Sequence, residues 1–298
     1  MHPLYIEVAG FSPAIHCEDS GLFSYLDREL SVFKGGHGED LRLRVELVRD
    51  AYLPDDIPDG YKLVSPTPGL RVLLLPEIHN GEMLLKARAC QDKACTMDDC
   101  DFLYPMLLNA ILSFYLQHLK VQGRAHICLI HACGAVRDGR AILFTGRSGA
   151  GKSTAARLLE ENGSFKLLGD DMVIISRSRE GWSVHASPLG GDMPRIELSN
   201  ISAPLEALYI LNRENEPGWE RLDVASALAS LLSSVVPAHE IRHTAIQTIE
   251  EYDHESLSIL MQEASMLASE VPCFTLSYLL EEPPWEEIFQ AVKDRGSA

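Results

Sequence analysis

The stretch AILFTGRSGAGKSTAARLLEENGSFKLLGDD, Ala141 to Asp171, decides how the rest of this 298-residue chain is read. Within it Gly146 to Ser153 fits the pattern G-x-x-x-x-G-K-[ST] without a mismatch. An apolar run, Ala141, Ile142, Leu143 and Phe144, enters the segment, and the helix-favouring Ala155, Ala156, Arg157, Leu158, Leu159 and Glu160 leave it. That order, strand then loop then helix, is what a phosphate-binding loop requires. Gly146, Gly149 and Gly151 permit dihedrals closed to residues with a Cβ, so successive N–H groups can converge on one anion at the positive end of the following helix. The expected nucleotide-binding residues are Gly146, Arg147, Ser148, Gly149, Ala150, Gly151, Lys152, Ser153 and Thr154. Lys152 is placed to reach the β- and γ-phosphates and the Ser153 hydroxyl to ligate Mg2+. ATP and Mg2+ are the implied ligands, and a nucleotide-dependent phosphotransferase is the implied activity.

Asp170 and Asp171 end the apolar run Phe165 to Gly169. Adjacent residues leaving a strand point to opposite sides, so one carboxylate can face a metal while the other faces a different atom. Both stay ionised at neutral pH when a cation such as Mg2+ or Lys152 lies beside them. One is read as a metal ligand and the other as a base that takes the proton of an acceptor hydroxyl.

The segment from His131 through Ile175 resembles the catalytic domain of HPr kinase/phosphorylase and its relatives. The shared features are a His ending one strand, a hairpin, the G-x-S-G-x-G-K-S loop, a short helix, and an apolar strand closing on Asp-Asp only eighteen positions after Lys152. The resemblance implies a phosphoenolpyruvate-carboxykinase-like nucleotide fold. It further implies that Asp170 deprotonates a serine hydroxyl, that Asp171 and Ser153 hold the metal, and that His131 holds Asp170. Thr154 stands where those kinases usually carry Glu, and no Arg-Pro-Gly stretch follows, the nearest basic candidate being Pro194-Arg195; the reverse, phosphorolytic reaction is therefore not implied. The chain looks more like the HPr kinase-related proteins of peptide-modifying gene cassettes, including the SynChlorMet cassette type.

With 46% hydrophobic and 23% charged residues the composition is that of a globular protein with enough chain for one large or two modest domains. A formal net charge of −17 disfavours nucleic acid and anionic membranes as partners, since those need a basic footprint. The first residues lack the basic start and apolar core of a signal peptide. Phe102 to Leu119 contains Pro105, Asn109, Gln117 and His118, and reads as a buried amphipathic helix rather than a span. Seven cysteines, an odd number, suit reduced thiols in a cytoplasm. Cys90, Cys95 and Cys100 recur every five residues, which fits neither zinc nor iron–sulfur spacing well and reads as a turn leading into a helix.

The organisation expected is a small α+β domain over residues 1–122, followed by an α/β catalytic domain with a mixed sheet over 123–298, Gly123 marking the boundary. In the first part, Leu22 to Phe33 reads as helix, Leu41 to Val48 alternates as a half-buried strand, and Pro54 to Gly69 reads as loop. Strands at Leu70 to Leu75 and Met83 to Ala87 flank the turn at His79, Asn80 and Gly81. In the second part, the Asp138-Gly139 pair signals a hairpin that delivers its second strand into the phosphate loop, an arrangement favouring the carboxykinase-like fold over a βαβ entry. A hairpin at Met172 to Ser176 and Trp182 to Ala186, a Gly- and Pro-rich loop from Pro188 to Arg195, a strand at Leu205 to Leu211 and a helix at Ala225 to Val236 follow. Arg195 reads either as a phosphate ligand or as a surface Arg capping a turn. A helix at Ser256 to Ala268, a strand at Pro272 to Leu279 and a helix at Trp285 to Val292 complete the chain.

The leading function is transfer of the γ-phosphoryl group of ATP to a serine-type hydroxyl of a protein or peptide. The alternatives are a small-molecule kinase acting on free serine and a nucleotide-binding adaptor that does no chemistry. The resemblance to a family with assemblies adds a homo-oligomer to the expectations.

Overall fold

In the computed structural model the residues described are 2–38, 41–50, 52–54, 56–67, 70–79, 82–91, 102–121, 126–189, 198–212, 216–236 and 254–295. They form a mixed α/β protein with two sheets. Two compact units are distinguished, one comprising Met1–Tyr115 and the other Leu116–Glu240 with Gln247–Ala298. Gly123 itself lies outside the described residues.

The first unit is built on a six-stranded sheet. Its strands are β1 (Leu4–Tyr5), β2 (Pro13–Cys17), β3 (Leu41–Arg49), β4 (Lys62–Thr67), β5 (Leu70–His79) and β6 (Glu82–Gln91), in the spatial order β1-β2-β3-β6-β5-β4. β2, β3 and β6 run parallel and the remaining pairs antiparallel. The alternation in β3 does what period-2 patterning demands, burying Leu41, Leu43 and Val45 while Arg42, Arg44 and Glu46 face water. Helix α1 (Ser20–Glu29) starts where Asp19 accepts a 2.7 Å hydrogen bond from the Leu22 N–H, a side-chain N-cap. The loop expected over Pro54 to Gly69 contains a strand: β4 lies inside it, paired with β5. Pro66 hides this strand in the sequence, yet an edge strand tolerates proline, and the register slips between Val64 and Thr67 where it sits.

Helix α2 (Leu103–Val121) follows, with Leu107, Ala110, Ile111, Leu112 and Leu116 all buried. Among the described residues no helix is long and apolar enough to cross a membrane.

The second unit holds a nine-stranded mixed sheet. Strands β7 (His126–Arg137) and β8 (Arg140–Thr145) form the expected hairpin; Asp138 (φ 52°) and Gly139 (φ 74°) both take the left-handed conformation that a two-residue turn of this kind needs. After the loop come α3 (Lys152–Asn162), β9 (Lys166–Gly169), β10 (Met172–Ser178) and β11 (Gly181–His185). Both β9 and β10 run antiparallel to β7, so the Asp170-Asp171 step is held beside the middle of that long strand. β12 (Ser202–Leu211) is parallel to β8 and also pairs with β11, closing a hydrogen-bonded cycle through β11, β10, β7, β8 and β12.

Beyond β12 are β13 (Gly218–Arg221), α4 (Val224–Leu231), β14 (Val235–Val236), α5 (His254–Glu270), β15 (Cys273–Ser277) and α6 (Trp285–Arg295). β15 extends the sheet parallel to β12, so β8, β12 and β15 all end at the same edge. The helix expected over Ala225 to Val236 ends at Leu231 instead, because Val235 and Val236 pair with Ile130 and Leu129 of β7. Two β-branched residues satisfy a sheet edge better than a helix end. One face of the sheet is packed by α3 through Ala155, Ala156 and Leu159 and by α6 through Trp285, Ile288 and Phe289. Phe144 lies between Tyr209 and Trp285, with ring centroids 5.8 and 5.2 Å away. The strand that leads into the Gly146–Ser153 loop is thus fixed in the aromatic centre of the core.

Candidate functional site

Gly146 to Ser153 join the end of β8 to the start of α3. Gly146 (φ 150°), Gly149 (φ 77°) and Gly151 (φ 108°) all have positive φ, the conformations for which their lack of a Cβ was read from the motif. Gly146 is tight as well: a Cβ there would come within 3.0 Å of both the Ala150 Cβ and the Leu211 carbonyl oxygen. At Gly149 a Cβ would meet nothing within 4 Å. Gly151 is the N-cap of α3 and supplies no side-chain acceptor, so the first-turn amides and the positive end of the helix dipole are left for an anion.

Lys152, the first residue of α3, is only 7% exposed. Its ammonium donates to the carbonyls of Gly146 (2.8 Å) and Arg147 (3.3 Å), folded back over the loop. Burial lowers its pKa, while the nearby Asp171 carboxylate pulls it upward. A buried ammonium satisfied only in part by neutral carbonyls, above a loop of left-handed glycines, fits a phosphate chain. Arg147, Ser148, Gly149 and Ser153 are exposed and Ala150 and Thr154 half-buried.

Asp170 and Asp171 lie between β9 and β10, the first buried and the second half-buried. Asp171 faces His131 and Lys152: its Oδ1 lies 3.0 Å from His131 Nδ1, and its charge is felt by the lysine. Asp170 is 5% exposed and lies on the Cys133 side, where burial, with its charge added, pushes that thiol far above the ordinary range. His131 lies against Asp171, the neighbour of the Asp170 that it is expected to hold. The cause is register, since Met172 is opposite His131 and the Ala132 N–H donates to the Asp171 carbonyl (2.9 Å), which sets Asp171 beside the histidine. The His131 Nδ1 is buried without a hydrogen-bond partner, so the contact to Asp171 is one of proximity.

Two residues that the motif does not include complete the surroundings. Thr145, the last residue of β8, donates to the His131 carbonyl (2.8 Å) and makes a 2.7 Å hydrogen bond with the buried Ser234 hydroxyl. The Ser234 carbonyl accepts from the His131 N–H (2.7 Å). His131 is thus clamped at its backbone from both sides. Ser234 is eighty-nine positions from Thr145, and no local signal marks it.

Among the described residues, no group of three or more His, Cys, Asp and Glu side chains is gathered to hold a metal. Ser153 and Asp171 would have to share the ion with phosphate oxygens and water, which is how Mg2+ is commonly held. Cys90 is a free thiol near the end of β6; Cys95, Cys100 and Arg195 lie outside the described residues.

A family model described as SynChlorMet cassette protein ScmC matches residues 93–293. Among solved structures, the chain is similar to the Hpr(Ser) kinase/phosphatase from Coxiella burnetii, at 12% identity and a TM-score of 0.32, over 56% of this chain and 89% of that one. The likeness is weak. No curated protein matches the chain.

Proposed function

The chain belongs to the SynChlorMet cassette protein ScmC family, and from the geometry of its loop we propose that it is an ATP-dependent phosphotransferase acting on a serine-type hydroxyl of a protein or peptide. The observation that carries this reading is the loop itself: three positive-φ glycines, an N-terminus of α3 without a side-chain cap, and the buried Lys152 ammonium turned onto loop carbonyls. In the proposed reaction Lys152 exchanges those carbonyls for phosphate oxygens and the loop amides bind the remaining charge. Ser153 and Asp171 are the residues that would hold Mg2+, which supplies neutralisation of the charge on the transferring group. His131, 3.0 Å from Asp171, positions that carboxylate. Asp170 takes the proton of the acceptor hydroxyl as its oxygen bonds to the γ-phosphorus and the bond from that phosphorus to the β–γ bridging oxygen breaks, releasing ADP. These tasks are positioning and electrostatic stabilisation, and phosphoryl transfer asks for little else.

The test is incubation of the purified protein with γ-labelled ATP, Mg2+ and a panel of free serine, serine-bearing peptides and products of neighbouring genes, with Asp170→Asn alongside. Label on a peptide or protein hydroxyl is expected, reduced by about a hundredfold or more in the variant while ATP binding persists. Label on free serine selects a small-molecule kinase. Tight ATP binding without transfer to any acceptor selects an adaptor, and unchanged turnover in Asp170→Asn removes Asp170 as the base.

A further inference from the structure

Strand β7 loses a neighbour where the Gly146–Ser153 loop begins. Its ladder with β8 ends at Ala132 opposite Thr145, and two residues earlier in β7 Ile130 is opposite Val235 of β14. Between these two pairs the His131 N–H donates to the Ser234 carbonyl (2.7 Å). β8 and β14 both run antiparallel to β7, so β14 continues the line of β8 and the loop departs at the join. Ser234 fills that join. Without it the His131 N–H would be a buried donor with no acceptor on that edge.

Ser234 is buried and bonded through three of its groups. Its N–H donates to the carbonyl of Leu231 (2.8 Å), the buried last residue of α4, which anchors it in the core. Its carbonyl takes the His131 N–H, and its hydroxyl shares the 2.7 Å hydrogen bond with Thr145. Thr145, also buried, donates to the His131 carbonyl (2.8 Å) and is bonded directly to Gly146, the first residue of the loop. Successive N–H groups of a strand point to opposite edges, and the next one in β7, that of Ala132, donates to the Asp171 carbonyl (2.9 Å). The step His131-Ala132 thus reaches from Ser234 and Thr145 on one edge to Asp171 on the other. The entry to the loop and the backbone of Asp171 are both fixed to that step, and Ser234 holds it in place.

We propose that Ser234 is a positioning residue of the site: by closing the join between β8 and β14 it sets where His131 and Asp171 stand relative to the loop. The proposal rests on the phosphotransferase reading above and adds to it a residue that touches neither nucleotide nor acceptor.

Two measurements on the full chain with no acceptor added test it: calorimetric titration with ATP and Mg2+, and the rate at which γ-labelled ATP releases phosphate to water. Water then replaces the acceptor hydroxyl. Its oxygen bonds to the γ-phosphorus, its proton goes to Asp170, the bond to the β–γ bridging oxygen breaks, and ADP and inorganic phosphate leave. Ser234→Ala is expected to slow release about tenfold and to keep ATP affinity within about threefold of the wild type, while Ser233→Ala, at the exposed neighbouring hydroxyl, changes neither. A role exercised through His131 makes the losses non-additive: added to His131→Asn, Ser234→Ala should cost less than about twofold more. Thr145→Val removes the same hydrogen bond together with the one to the His131 carbonyl and should lose at least as much. Thr145→Ser keeps the hydroxyl and should restore the rate to within about twofold; this pair stands in for Ser234→Ala if that variant does not fold. Wild-type release in Ser234→Ala, or losses that multiply in the double variant, overturn the positioning role and leave the phosphotransferase reading in place. ATP binding without release in the wild type overturns both, and no binding at all overturns the phosphate loop as well.

Discussion

Replacing Gly146 by Ala and, separately, Gly149 by Ala distinguishes a loop whose shape is imposed by its surroundings from one that is merely rich in glycine. Both residues have positive φ, 150° and 77°, so both variants carry backbone strain. At Gly149 that is all, because the added Cβ meets nothing within 4 Å, and a cost of roughly 1–2 kcal/mol follows from the left-handed conformation. At Gly146 the region is nearly closed to residues with a side chain, which costs roughly 1–3 kcal/mol. The Cβ there also lies 3.0 Å from the Ala150 Cβ and the Leu211 carbonyl, and neither can swing away as the tip of a flexible side chain would. Overpacking adds about 1–3 kcal/mol, for a total of roughly 2–6 kcal/mol. At about 2–4 °C per kcal/mol for a domain of this size, Gly146→Ala should melt about 4–24 °C below the wild type and Gly149→Ala about 2–8 °C below it. Calorimetric melting without nucleotide, followed by ATP titration, reads both effects. If the loop relieves the contact by shifting, ATP affinity falls with stability. Equal melting temperatures for the two variants, together with unaltered ATP affinity in Gly146→Ala, would refute the reasoning.

Lys152 gives a pH dependence: burial sets its folded pKa below the ordinary 10.5, so between those values the unfolded chain binds more protons and stability rises with pH. Over the same window the ammonium is lost from the folded loop, so ATP affinity should fall as the solution is made alkaline; titrations from neutral pH upward, with Lys152→Met as the flat control, check this. His185 is buried, with its pKa lowered by desolvation from 6.5 to about 4, and its Nε2 lies 2.7 Å from the Ser176 hydroxyl. Its neutral form is favoured on folding, so about 3 kcal/mol of stability, fully present above pH 6.5, should be lost as pH falls toward 4. Urea unfolding across that range should show the slope in the wild type and a smaller one in His185→Gln. His131→Asn removes the side chain beside Asp171 and should reduce turnover roughly ten- to a hundredfold with the fold intact by circular dichroism; wild-type turnover would show that Asp171 needs no such partner.

What could be read from the sequence and what could not divide by the distance over which the determinants act. The loop and its flanks were legible because strand, glycines, lysine and helix are contiguous, and each obeys a local rule: Asp138-Gly139 turns the hairpin, Gly151 starts α3, Gly163 (φ 71°) ends it. The approach of His131 to Asp171 was not legible, since it depends on the register of β7 against β10, forty residues apart. Ser234 was less accessible still. It follows a helix whose expected continuation through Val236 concealed the short β14, and its meeting with Thr145 exists only once β14 is placed beside β7. In the first unit β4 was concealed by its proline, a local signal for loop that an edge strand overrides.

The two sides of β8 differ in polarity. Toward β7, Thr145 donates to the His131 carbonyl, the Ser234 carbonyl accepts from the His131 N–H, and the Ala132 N–H donates to the Asp171 carbonyl. The backbone that carries His131 and Asp171 is thus held by register. Toward β12 the neighbours are Leu211, Leu276 and Ala150, which offer shape and apolar surface but no charge. A phosphate chain held by the loop as proposed would meet polar side chains on the first side and an uncharged surface on the second, so in a chain whose net charge is −17 the Asp170 and Asp171 carboxylates would face it from the β7 side.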